Sequence, residues 1–89
     1  MSNPLDQDIS NLNQQKQNIK TQIRYLYIER GAAIQRIQQY KGRNEPEIAP
    51  MLDVLYQQLN TLDRSIQLLE VQGAKIDNEI ERITYFRNN

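Results

Sequence analysis

Apolar side chains recur along the first half of the chain at steps that alternate between three and four residues. The ladder runs Ile9, Leu12, Lys16, Ile19, Ile23, Leu26, Arg30, Ala33, Ile37, Tyr40, and only Lys16 and Arg30 in it are charged. A strand would repeat every two residues, whereas a helix brings the same face round every 3.6, so this spacing predicts a long amphipathic helix. The second half repeats the pattern through Leu52, Leu55, Leu59, Leu62, Ile66, Leu69, Gly73, Ile76, Ile80 and Ile83. Unbroken alternation of three and four is the heptad pattern of helices that pack side by side, with the ladder as the seam.

The punctuation falls where two such helices need it. Asn3 is suited to cap a helix that begins at Pro4, and Asp6 places a carboxylate in its first turn. Gly42 supplies a left-handed residue just past Lys41, and Gly42, Arg43, Asn44, Glu45 and Pro46 together have turn chemistry. Pro50 is tolerable within the first turn of a second helix, where the amide hydrogens lack intrahelical partners. The prediction is all-α: a long antiparallel two-helix hairpin of coiled-coil type, a single domain over residues 1–89. Helix one spans about 4–41, the turn about 42–46 and helix two about 47–86. With a ~1.5 Å rise per residue the rod is expected to be about 50 Å long.

A short connection makes the helices antiparallel, and the ladders then register with paired residue numbers summing to 92, Tyr40 against Leu52 and Ile9 against Ile83. The flanks fit this register: Lys20 falls opposite Glu70, Ile34 opposite Tyr56 and Tyr27 beside Asp63. Asp77 lies beside Lys16 and Asp63 beside Arg30, so two ion pairs, Lys16 with Asp77 and Arg30 with Asp63, are expected to hold the register where the seam is polar. Gly73 faces Ile19 and is expected to make room for it, while Gly31, on a surface edge, is expected to admit a second chain.

Outside the seam, Tyr25, Ile28 and Ala32 on helix one and Leu68 and Val71 on helix two form a second apolar set at similar heights along the rod. They are read as one exposed patch and as the candidate protein interface, together with Gly31 and the adjacent aromatics Tyr85 and Phe86 at the open end. A two-helix seam has no second layer to cover it, and this favours assembly into a multi-helix bundle, a homo-oligomer in the first instance.

Composition narrows the chemistry. The 89 residues contain no Cys, His or Trp, which removes disulfides, Cys/His zinc sites and the commonest general base. No catalytic, cofactor or metal site is expected; Asp77, Glu81, Asp53 and Glu70 read as a solvated helix surface. Eleven basic and eleven acidic residues balance, so no whole-chain field draws the molecule to nucleic acid or an anionic membrane. The twenty-one Gln and Asn residues are spread among the ladders as uncharged helix surface. There is neither a signal-peptide pattern nor a membrane-spanning run, and localisation stays open, with the cytoplasm or a virion as the expected settings. The expected function is a structural or adaptor protein, with a virion or scaffold component as one form of it. A small helical inhibitor of another protein shares every feature. A nucleic-acid-binding hairpin using Lys16, Lys20 and Arg24 with Tyr25 and Tyr27 is the weaker alternative.

Overall fold

The computed structural model describes residues 3–89, and they form two helices joined by a short turn. Helix α1 spans Pro4–Tyr40 and helix α2 spans Ile48–Asn88, with no strand among the described residues. The Asn3 side chain accepts from the Leu5 amide at 2.9 Å, and the Asn3 carbonyl accepts from the Asp6 amide at 2.9 Å. Two of the amide hydrogens that a helix start leaves unpaired are thereby satisfied. At the other end of α1, the Lys41 amide donates to the Ile37 carbonyl and Gly42 turns the chain with φ at +87°. Helix α2 starts one residue later than expected, and Glu47 before it makes no side-chain cap. It then runs two residues beyond the expected Phe86, and the Asn89 side chain donates to the Tyr85 carbonyl at 2.8 Å.

The two helices lie along each other in a rod of 69 × 17 × 13 Å. The rod is longer than the expected 50 Å because the helices have 37 and 41 residues and the turn adds to their length. Every ladder position of both helices is buried or half-buried, including Lys16, Arg30 and Gly73. Leu5 and Ile48 extend the ladders by one step each, Leu5 half-buried and Ile48 buried. The core is narrow. Its buried members are Ala33, Ile37, Ile48, Leu55, Leu62 and Ile66, concentrated toward the turn, and no described side chain is completely shielded from solvent. Two helices can enclose only a single seam, so each seam residue keeps an edge in water.

The glycines separate by backbone and by space. A Cβ at Gly42 would meet nothing within 4 Å, yet its positive φ is a conformation that L-residues avoid. Gly31 has helical backbone and open space around it, so nothing within the hairpin calls for glycine there. At Gly73 the expectation of a tight site is corrected: it faces Ile19, but an added Cβ would lie 3.8 Å from Ile19 Cγ2, an ordinary contact that leaves room for a methyl group. Gly42→Ala is therefore expected to lower stability by roughly 1–2 kcal/mol. Gly73→Ala is expected to raise it by about 1 kcal/mol through helix propensity. Urea-midpoint shifts of opposite sign would establish this; a loss at Gly73→Ala would mean that the seam is tighter than 3.8 Å implies.

Candidate interaction surface

With the seam positions written as a and d of a heptad, the hairpin has two unlike flanks, one carrying the e and b positions of both helices and the other the g and c positions. The first flank is an electrostatic lattice. Lys16 Nζ lies 2.6 Å from Asp77 Oδ1, and Arg30 Nε lies 2.6 Å from Asp63 Oδ1. Asp6 pairs with Arg87 at the open end with the same offset between the helices. This third pair was not anticipated, although extending the ladder register to the first turn of α1 and the last turn of α2 would have disclosed it. Tyr27 does not sit on Asp63, which Arg30 takes; its hydroxyl donates instead to Glu70 Oε1 at 3.3 Å. Glu70 is thus engaged by Tyr27, and Lys20 makes no ion pair among the described residues. All these groups are partly open to water, so each pair adds only about 0–1 kcal/mol and serves alignment more than stability.

The g and c flank is less charged and more apolar. Tyr25 and Leu68, both at c positions, share one height at mid-rod and are among the most exposed apolar side chains. Gln22, Glu29, Ser65 and Gln72, at g positions, lie between them. Ile28 and Val71 occupy f positions, diametrically opposite the seam on their own helices, and both are exposed. The hairpin therefore points them away from each other, and the five residues expected as one patch are divided between the flank and the two outer backs. Ala32 stands beside Tyr25 on the flank, exposed; Gly31 belongs to the opposite flank.

Nearer the turn, the same flank opens into a groove of about 480 Å³ lined by Tyr40, Pro50, Met51, Val54 and Leu55, with Arg36 and Gln58 at its edge. Met51 and Val54 are exposed there and were not singled out from the sequence. The available signal was phase: Val54 stands two heptads before Leu68 and so faces the same way. At the open end Tyr85 and Phe86 are both exposed, packed edge to face with ring centroids 5.7 Å apart. Neither aromatic is in phase with the seam: Tyr85 is at an f position and Phe86 at a g position, two and three residues past the last ladder residue, Ile83.

Charge on this flank is local. Glu79 is held below the usual carboxylate range by hydrogen bonds from Arg82, three residues on. Beside the turn, Glu45 is also lowered, first by a backbone hydrogen bond and then by Arg43, whose guanidinium carbon lies 5.8 Å from the Tyr40 ring centroid. Among the described residues no group of three or more His, Cys, Asp or Glu side chains converges as a metal site, and no helix is long and apolar enough to cross a membrane. The chemistry this surface offers is contact: aromatic and aliphatic side chains presented by stiff helices, bordered by amides and paired charges. Set beside known proteins, the chain matches no family model, no curated protein and no solved structure.

Proposed function

We propose that this hairpin is a non-enzymatic structural or adaptor protein that acts by helix–helix packing, associating with copies of itself and docking on a larger protein assembly such as a scaffold or virion. One observation carries the reading. Among the described residues ten large apolar side chains are exposed, six of them aliphatic or sulfur-containing residues or tyrosines on the g, c and f positions between the turn and mid-rod. Among the described residues the buried core has six members. Scattered surface apolar residues are ordinary, but an exposed set larger than the core is what a half-assembled bundle presents. An inhibitor that seats one face of the hairpin on another protein would use the same side chains. The nucleic-acid alternative has less support: Lys16 is committed to Asp77, and Glu70, Asp63 and Asp77 occupy the flank on which Lys20 lies.

Light scattering behind size-exclusion chromatography, over a hundredfold concentration range, tests the self-association. A defined oligomer is expected, and Ile28→Glu with Leu68→Glu is expected to dissociate it while the helical circular dichroism persists. A folded monomer at every concentration would refute self-association and leave docking on a different protein as the role of the surface.

A further inference from the structure

The apolar side chains of the g and c flank stand at three heights, and their spacing is palindromic. Met51 and Val54 line the groove near the turn, Leu68 stands beside Tyr25 at mid-rod, and Phe86 projects near the open end. Met51 and Phe86 are both g positions, five heptads apart, and the midpoint between them falls at Leu68. We infer that a second copy of this chain lies antiparallel on this flank, about a two-fold axis at the level of Leu68 and Tyr25, with each copy's Phe86 entering the other's groove. The inference rests on the self-association proposed above and specifies its surface, direction and symmetry.

Such a contact is isologous: the same patch serves both copies, and a residue at one height meets the residue equally far beyond the axis. Tyr25 and Leu68 then meet their own counterparts at the axis. The groove, which the hairpin leaves open, receives the aromatic ring that the hairpin leaves exposed. The charges agree with this direction. Glu79 comes level with Arg36 of the second copy, so acid toward the open end faces base toward the turn. Lys75 and Arg82, at outer c positions, come level with uncharged Thr61 and Val54, and no like charges are opposed. A parallel arrangement would set groove against groove and place Phe86 beside Asp8, leaving the ring and the groove unmatched. The area is sufficient. A rod face of 69 by 17 Å offers roughly 1,000 Å² per copy, against the ~800 Å² per partner of a standard specific interface.

Because the chain has no cysteine, the arrangement can be read by cross-linking. Gln58 and Glu79 are polar g positions equally distant from the proposed axis, so Gln58→Cys and Glu79→Cys probe it without removing an apolar group. Under mild oxidation, a mixture of the two single variants is expected to form a disulfide-linked dimer that neither forms alone. Phe86→Ala is expected to weaken association by about tenfold or more, as truncation of an anchoring aromatic does. Gln38→Glu, at an exposed b position on the opposite flank, is expected to leave the mass unchanged. Self-linking of each variant on its own would show parallel copies and overturn this arrangement. A stable oligomer that gives no cross-link in the mixture and is indifferent to Phe86→Ala would overturn it too, with self-association intact. A wild-type chain that stays monomeric would remove both at once.

Discussion

Ile66→Asp is expected to unfold the hairpin at room temperature. Ile66 is 5% exposed, one seam step from buried Leu62 and level with half-buried Leu26 across the seam. The truncation Ile66→Ala alone removes buried methyl groups and leaves a cavity between two stiff helices, a loss of about 2–5 kcal/mol. A carboxylate there loses the same packing and must also give up its hydration or separate the helices. Total stabilities of small domains are of the order of 5–15 kcal/mol, and a hairpin with six buried residues among those described belongs at the lower end. Far-UV circular dichroism and urea denaturation check this, with exposed Val71→Asp as the comparison that should keep its helix content. A wild-type denaturation midpoint for Ile66→Asp would show that the seam is not what holds the fold together.

The second large effect runs the other way. Replacing Lys16 and Arg30 together by leucine is expected to raise stability by roughly 2–4 kcal/mol in total, because full burial of a leucine contributes about 1.5–3 kcal/mol and these positions are only partly enclosed. The side chains they replace are 30% and 38% exposed in the seam. Their partners Asp77 and Asp63 each have 48% of the side chain exposed, so both carboxylates return to water at little cost and no unpaired buried charge remains. The expected penalty is in definition. Polar seam positions restrict which alignments and assemblies are acceptable, and an uninterrupted apolar ladder accepts more of them. The double variant should therefore have a higher urea midpoint together with a broader distribution of molar masses. A fall in the midpoint of comparable size would mean that the two ion pairs stabilise the hairpin instead of aligning it.

These two expectations differ in how plainly their basis could be read beforehand. The identity of the seam, including Ile66, follows from steps of three and four because a helix repeats its face whatever it packs against. The alignment of Lys16 with Asp77 and of Arg30 with Asp63 follows from a short turn and two ladders of equal length. The groove at the turn end could not be obtained in that way. It depends on Met51, Val54 and Tyr40 converging from two helices beside Pro50, on the flank that the e-position ion pairs do not cover.

What the sequence by itself determined is the part governed by local periodicity and chain connectivity: two helices, a glycine turn at positive φ, an antiparallel register and the positions at which charge enters the seam. Only the tertiary structure decided where competing side chains go. Arg30 reaches Asp63, so the Tyr27 hydroxyl goes to Glu70. Ile19 stops 3.8 Å from where a Gly73 methyl would stand. Ile28 and Val71 leave by opposite backs of the rod, while Tyr25 and Leu68 share a flank. Spacing along one helix sets the direction of a side chain about its own axis; which groups that direction brings within reach depends on how far apart the two axes lie and on the lengths of the side chains between them.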